Sequence, residues 1–246
     1  MFRRLRKSPA PQATADPPLV ADDDRAIIAR ARPFTMTSEA RLQALIDAVR
    51  YCQQRGVPGA FAECGVWRGG SVLTMILTLQ ELGVDDRDIH LFDTFEGMTA
   101  PTEHDVSSLD PPALETWESA RSSGAQPWSE LFNGEVFDES SVRDLLAGTG
   151  YPAERLHFAR GAVEETLPGA APERLALLRL DTDWYESTRH ELEHLWPRLS
   201  DGGVLIIDDY GHWEGARRAV DEYFETAAAP VLLSRIDYTG RIAIKH

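Results

Sequence analysis

Cysteine is scarce in this sequence, which contains only Cys52 and Cys64 among its 246 residues. Two thiols are too few for a disulfide framework and too few for a structural zinc site built on cysteines. We therefore expect both cysteines to be buried thiols in a reducing compartment, and we predict a cytoplasmic protein.

Long apolar runs and positive charge are also lacking. No apolar run approaches the roughly 20 residues that span a bilayer, and the basic start MFRRLRK leads into a proline-rich stretch rather than the apolar core of a signal peptide. Lys and Arg number 25 against 40 Asp and Glu, which gives a formal net charge of −15. An acidic surface repels phosphate backbones and anionic lipids, so we expect neither nucleic acid nor a membrane as partner.

The sequence also lacks the motifs of two common enzyme classes. It contains no G-x-S-x-G nucleophile motif, and no G-x-G-x-x-G of the kind that a nicotinamide oxidoreductase would show. His104 and His212 could each contact a substrate or act as a base, and Trp213, next to His212, could contact a substrate, but their spacing alone assigns no role to them.

What the sequence does contain is an alternation of apolar strands and amphipathic helices. Helices are predicted at residues 22–32, 39–54, 71–82, 140–146, 188–199 and 214–227. Strands are predicted at residues 59–63, 88–92, 156–159, 175–180 and 203–207, followed by a hairpin of residues 231–234 and 241–244. This α/β pattern predicts a mostly parallel sheet with helices on both faces and a C-terminal antiparallel hairpin.

The hydrophobic content of 43% is enough for one large domain, which we place at residues 31–246 behind a flexible N-terminal arm of residues 1–30. Residues 99–133 break the alternation with little periodicity. A connection this long inside a compact domain is typically a binding loop, a lid or a disordered segment. Because it contains Trp117 and Trp128, we predict a substrate lid.

Acidic residues stand where the predicted strands end. They are Glu63, Asp93, Asp181, Asp208 and Asp209. Ligands of parallel α/β sheets bind outside the carboxyl ends of the strands, so this edge is the candidate site.

The first of these strand ends opens the stretch E-C-G-V-W-R-G-G-S, from Glu63 to Ser71. Glycines there let the backbone approach a ligand closely, and an acidic start suits a cationic cofactor such as S-adenosylmethionine better than a pyrophosphate. Asp93 ends the next strand, 28 residues after Gly65, where an acid commonly holds ribose hydroxyls. Packing alone could also explain the glycines, and helix capping could explain Asp93.

The last two strands end in the acid pairs Asp181/Asp183 and Asp208/Asp209, 27 residues apart. This separation fits one strand, helix and strand, so the pairs should lie side by side. Converging carboxylates repel each other unless a cation lies between them, and an all-oxygen ligand set selects Mg²⁺, Ca²⁺ or Mn²⁺ over zinc. The alternative is a set of solvated turn residues.

Five ordered stretches resemble the macrocin O-methyltransferase family, whose members methylate sugar hydroxyls of glycosylated natural products with S-adenosylmethionine and Mg²⁺. The stretches are RPFTMTS (32–38), FAECGVWRGGS (61–71), LFDTFEG (91–97), RLDTDWYEST (179–188) and GGVLIIDDY (202–210). The resemblance implies a Rossmann-like class I methyltransferase fold and a homodimer. One departure from the family is Asp181-Thr-Asp183, where the family often has D-G-D.

The resemblance also implies roles for individual residues. It implies cofactor contacts for Thr35, Met36, Glu63, Gly65, Ser71, Asp93, Gly161 and Ala162, and Mg²⁺ ligation for Asp181, Asp208 and Asp209. Coordination to Mg²⁺ would lower the pKa of a sugar hydroxyl, and Asp181 would take its proton as the oxygen attacks the sulfonium methyl. Asp183 remains an alternative to Asp181 as ligand and base. A catechol-type phenol O-methyltransferase and a non-catalytic cofactor-binding protein remain alternative functions.

Overall fold

The computed structural model describes residues 22–132, 137–226 and 230–246. Its helices are α1 Asp22–Ala31, α2 Glu39–Gln54, α3 Gly70–Glu81, α4 Ala113–Ser122, α5 Glu139–Ala147, α6 Val163–Thr166, α7 Tyr185–Leu195 and α8 Glu214–Thr226. Its strands are β1 Ala60–Cys64, β2 Ile89–Asp93, β3 Leu156–Arg160, β4 Leu175–Leu180, β5 Leu199–Ile207, β6 Ser234–Arg235 and β7 Arg241–Ile244.

Within the described ranges, the strands form one sheet in the order β3-β2-β1-β4-β5-β7-β6. Strands β1 to β5 are parallel, whereas β7 is antiparallel to β5 and pairs with β6 as a hairpin. The strand order reverses between β1 and β4, which opens a crevice at their carboxyl ends. The predicted parallel sheet and terminal hairpin are confirmed.

Successive side chains of each strand point to opposite faces of the sheet, so the protein has two cores, one on each face. Phe61, Leu177 and Ile206 face the helices α1, α2, α3 and α5, whereas Leu178 and Ile207 face α6, α7 and α8. Both cysteines are free and buried, as predicted. With helices on both faces, only the ends of the strands remain open to a ligand.

The N-terminal helix belongs to the domain rather than to an arm. Pro33 ends the helical pattern as expected, and a short 3₁₀ turn at Arg32–Phe34 follows α1. Ile27, Ile28 and Ala31 of α1 are buried in the same core as α2 and α3. The predicted boundary after residue 30 therefore falls inside a packed helix, and residues 1–21 of the predicted arm lie outside the described residues.

The segment predicted to be a lid lies beside the carboxyl edge of the sheet, where several of its residues line a cavity. It contains α4, which the sequence did not predict, and its end at Asn133 lies outside the described residues. Asp105 fixes the segment from within: its buried carboxylate accepts the backbone N–H of Tyr185 at 2.7 Å and that of Thr102 at 2.6 Å. The segment is thus tied to the start of α7, beside the acidic strand ends.

Candidate active site

A cavity of about 680 Å³ opens where the strand order reverses. Among the predicted site residues, the following line it: Thr35, Met36, Gly65, Ser71, Asp93, Gly161, Ala162, Asp181, Asp208 and Asp209. Residues that are up to 174 positions apart in the chain therefore face one connected space, large enough for a cofactor and an acceptor.

The turn between β1 and α3 is held tightly against β4. Gly65 has a φ of +81°, and a Cβ at this position would lie 1.9 Å from the carbonyl oxygen of Asp181. Only glycine fits both the left-handed backbone and this close approach. The conformation of the turn therefore requires glycine at this position. Because glycine has no side chain, the backbone itself forms the cavity wall there.

Asp93 stabilises the same turn. Its Oδ2 accepts the backbone N–H groups of Val66 at 2.7 Å and Trp67 at 2.9 Å, while Oδ1 accepts that of Phe95 at 2.6 Å. Burial raises the pKa of Asp93, and these three backbone hydrogen bonds oppose the shift. Asp93 lines the cavity, and its carboxylate holds the β1–α3 turn instead of capping a helix, because the N-cap of α3 is Gly69 and no side chain bonds there.

Glu63 is the one predicted site residue that is not on the cavity wall. It is fully buried among the described residues, its Oε1 pairs with Arg179, and burial raises its pKa to about 7. Because side chains alternate along β1, Glu63 points with Phe61 into the core covered by α2 and α3. The strand continues to Cys64, so Gly65 rather than Glu63 meets the cavity.

The acid pairs converge as their spacing predicted. Ligand atoms of Asp181, Asp208 and Asp209 lie within 4.8 Å of one another at the ends of the neighbouring strands β4 and β5. Burial and Asp208 raise the pKa of Asp181 well above its usual range, against the effect of Arg179, and burial with the neighbouring acids raises that of Asp209. Three crowded carboxylates are a hard-oxygen donor set that fits a divalent cation such as Mg²⁺.

Asp183 lies beside this cluster and also lines the cavity. Its φ of +67° turns the chain sharply after Asp181, and its Oδ1 accepts the indole N–H of Trp213 at 2.9 Å. Burial raises its pKa to about 6, opposed by hydrogen bonds to Asp209 and Trp213. Asp183 is therefore close enough to the cluster to remain the alternative to Asp181 as cation ligand and as base.

Two arginines at the cluster were not predicted. Arg179 is 2% exposed, and its guanidinium contacts Asp181 and Asp208 at 2.7 Å each. Arg41 contacts Asp208 from the opposite side. Arg179 carried a signal in the sequence, because it is a lone charge within the otherwise apolar strand LALLRL, and such a charge must find partners. Arg41, on an amphipathic helix, carried none.

Tryptophans join the lid to the acidic cluster. Trp128 of the lid packs against Trp184, with ring centroids 5.8 Å apart, and Trp184 packs against Trp213 at 5.0 Å. The indole N–H of Trp184 donates to the carbonyl oxygen of Thr99 at 3.0 Å. The cavity roof is therefore aromatic and close to the carboxylates.

The two histidines singled out in the sequence differ in position. His212 lines the cavity, and its ring contacts Asp110 of the lid at 2.6 Å and the hydroxyl of Tyr238 at 3.0 Å. His104 is not on the cavity wall but packs against Tyr185 and α8, with its Nδ1 3.1 Å from Arg218. Of the two, only His212 lines the cavity that holds the acidic strand ends.

The sheet order, the glycine turn and the acidic strand ends around one cavity define a Rossmann-like class I methyltransferase fold. The fold is similar to that of the solved O-methyltransferase NovP, with a TM-score of 0.72 and 31% identity over 86% of this chain and 82% of NovP. No helix of the described residues has the length and apolar character needed to cross a membrane.

The family model of the macrocin-O-methyltransferases (TylF) matches residues 20–244, and the chain belongs to this family. A tetracenomycin-C rhamnosyl 4'-O-methyltransferase of Streptomyces olivaceus is 34% identical over 224 residues, 89% of this chain and 79% of that protein. A demethyldecarbamoylnovobiocin O-methyltransferase of Streptomyces niveus is 33% identical over 193 residues, 78% of this chain and 68% of that protein. The chain is thus an S-adenosylmethionine-dependent O-methyltransferase.

Proposed function

We propose that this enzyme methylates a sugar hydroxyl of a glycosylated natural product, with Mg²⁺ held by Asp181, Asp208 and Asp209. The observation that carries the proposal is the convergence of these three carboxylates on a cavity shared with the glycine turn. A relative that methylates a rhamnosyl group supports the choice of acceptor.

The cofactor is proposed to lie along the wall nearest β1 and β2. Gly65 and Ser71 flank the turn that approaches it, and Asp93 faces its ribose. Thr35 and Met36 would cover the methionine end, with Gly161 and Ala162 near the adenine. Glu63 lies behind this wall, so we assign it the role of partner to Arg179 instead of direct cofactor contact.

A sugar hydroxyl is a poor nucleophile because its pKa lies far above neutrality. A bound Mg²⁺ would lower that pKa and fix the position of the oxygen. We propose that Asp181 accepts the hydroxyl proton, with Asp183 as the alternative base. We propose that the lid, through Trp128 and its packing against Trp184, would exclude water from the cavity during the reaction, so that the chain's own groups position the reactants.

The cytoplasmic location and the homodimer stay predictions. Two free, buried cysteines agree with a reducing compartment.

The first test is calorimetric titration of S-adenosylmethionine with Mg²⁺ and with EDTA, followed by methyl transfer to a panel of glycosides and catechols. We expect cofactor binding in both conditions and Mg²⁺-dependent methylation of a glycoside. Transfer to catechols alone would establish the phenol alternative. Cofactor binding without any transfer would favour a non-catalytic protein, and transfer that persists in EDTA would contradict the metal site.

A further inference from the structure

The two arginines at the acidic cluster have different surroundings. Arg179, in the middle of the sheet, is 2% exposed and has all of its partners inside the site. It donates to the hydroxyl of Thr37 at 3.0 Å and contacts Glu63, Asp181 and Asp208. Withdrawing Arg179 would leave Glu63 as a buried carboxylate without a counter-charge, which is strongly unfavourable. Arg179 is therefore a fixed part of the site.

Arg41 lies at the edge of the cluster, where α2 meets the cavity. Its side chain is 12% exposed, and its Nη1 contacts Oδ2 of Asp208. Its Nε donates to Oδ2 of Asp237 at 3.0 Å, and Asp237 also accepts the hydroxyl of Ser38 at 2.6 Å. Asp237 stands in the turn between β6 and β7, outside the cluster of carboxylates. Arg41 can therefore lose one carboxylate partner and keep the other.

Both side-chain oxygens of Asp208 are in contact with guanidinium groups, Oδ1 with Arg179 and Oδ2 with Arg41. A divalent cation on Asp208 would share that carboxylate with two positive charges. Like charges at contact distance in a partly buried site repel strongly. Of the two arginines, Arg41 is the one that can move away at low cost. Its side chain is 12% exposed against 2% for Arg179, and its second carboxylate partner, Asp237, lies outside the cluster.

We propose that Arg41 is a displaceable counter-ion of the cation site. Without a divalent cation, Arg41 neutralises Asp208 and limits the repulsion among the crowded carboxylates. When the cation binds, Nη1 of Arg41 leaves Oδ2 of Asp208, and the guanidinium stays on Asp237. Arg41 is thus a positioning residue: it lowers the affinity of the site for a cation, and it stabilises the carboxylate cluster when no cation is bound. This inference rests on the proposed metal site.

The test measures Mn²⁺ binding, by electron paramagnetic resonance and by calorimetry at fixed ionic strength, without acceptor or turnover. We expect Arg41→Met to bind Mn²⁺ about tenfold more tightly or better, because the competing charge is gone. Arg41→Lys keeps the charge and serves as the matched control, with an affinity within about threefold of the wild type. A residue with a purely structural role would lower the affinity on substitution, not raise it.

Asp237→Asn provides a test with the opposite sign. With its second partner neutralised, Arg41 should hold Asp208 more firmly, so we expect Mn²⁺ to bind at least about threefold more weakly. In the Arg41→Met background the effect of Asp237→Asn should largely vanish, because it acts through Arg41. An effect of equal size in both backgrounds would contradict the proposal.

Unchanged or weaker Mn²⁺ binding in folded Arg41→Met overturns the inference, with folding verified by circular dichroism and thermal melting. If Arg41→Met does not fold, Arg41→Gln replaces it under the same criterion. Asp209→Asn should abolish the gained affinity. If the wild type does not bind Mn²⁺, or if Asp209→Asn binds it with wild-type affinity, the proposed metal site is wrong and this inference fails with it. If Mn²⁺ binds at the site but its affinity does not depend on Arg41, the inference alone is wrong.

Discussion

At the scale of single residues, Asp181 and Asp183 differ in the groups that already hold their oxygens. Oδ2 of Asp181 contacts Arg179 at 2.7 Å, which leaves Oδ1 for the cavity. Oδ1 of Asp183 accepts the indole N–H of Trp213 at 2.9 Å. Both residues face the same space, but only Asp181 is a member of the three-carboxylate cluster.

Replacing each residue by its amide tests which of the two is the base. We expect Asp181→Asn to lower kcat by about 10³-fold or more and to lose Mn²⁺ binding, because both the proton acceptor and a cation ligand are removed. Asp183→Asn should keep Mn²⁺ binding and remain within about tenfold of wild-type kcat. S-adenosylmethionine binding, measured by calorimetry, should be unchanged in both. An inactive Asp183→Asn that still binds Mn²⁺ would move the base to Asp183.

At the scale of elements, the β1–α3 turn depends on one glycine. We expect Gly65→Ala to weaken S-adenosylmethionine binding by at least about tenfold, because its methyl group would lie 1.9 Å from the carbonyl oxygen of Asp181. The matched control is Gly83→Ala, which has a φ of +70° but nothing within 4 Å of the added carbon. This control should lose about 1 kcal/mol of stability and bind the cofactor normally. Calorimetry and urea unfolding measure both effects, and equal cofactor affinities would contradict the assigned turn.

Strands β2 and β3 carry a pair of histidines that makes stability depend on pH. His90 stands opposite His157, with ring centroids 4.5 Å apart. Burial, and next the charge of His157, lower the pKa of His90 to about 4, although Asp88 and the backbone of Ala170 oppose this. The folded state therefore disfavours the protonated ring.

The unfolded chain binds a proton at His90 below about pH 6.5, so it binds more protons than the folded chain between pH 6.5 and pH 4. Because the ring of His90 is partly exposed and solvent screens its charge, we expect this residue to remove about 1 kcal/mol of stability as the pH falls from 7 to 5. His90→Gln should remove that part of the pH dependence in urea unfolding. A wild-type slope in His90→Gln would show that other groups are responsible.

Element boundaries show where local patterns were sufficient. Strand β4 matches its predicted range, since an apolar run bounded by polar residues has one interpretation. Strand β5 begins at Leu199, four residues before the predicted start, because Asp201-Gly202-Gly203 is typical of a turn and yet continues the strand. Helix α7 ends at Leu195, before Pro197, instead of reaching residue 199.

At the scale of the whole molecule, α1 closes one of the two cores. Ile28 is 5% exposed in the core shared with α2 and α3. We expect Ile28→Ala to lower the free energy of unfolding by about 2–4 kcal/mol, since it leaves a cavity. The control Leu232→Ala, at a position 83% exposed, should change it by less than about 0.5 kcal/mol. If chemical unfolding gives the same free energy of unfolding for both variants, α1 does not contribute to the core and is an arm after all.

The sequence by itself determined the alternation of strands and helices, the parallel sheet and the set of acidic strand ends. These follow from local periodicity and from a rule that every parallel sheet obeys, so no tertiary contact had to be known. Gly65, Asp93, Asp181, Asp208 and Asp209 all lie on the cavity wall for that reason.

Only the tertiary structure decided which charges meet. Strand β1 continues to Cys64, so Glu63 lies within the strand and its side chain points into the core instead of the cavity. Arg41 contacts Asp208, which is 167 positions away in the sequence. Such pairings depend on the direction of each side chain and on the packing of α2 against the sheet, which no local pattern records. The acidic site could therefore be predicted from the sequence. Of the arginines that balance its charge, Arg179 could have been expected to find an acidic partner because it is the lone charge in β4, whereas nothing in the sequence indicated Arg41.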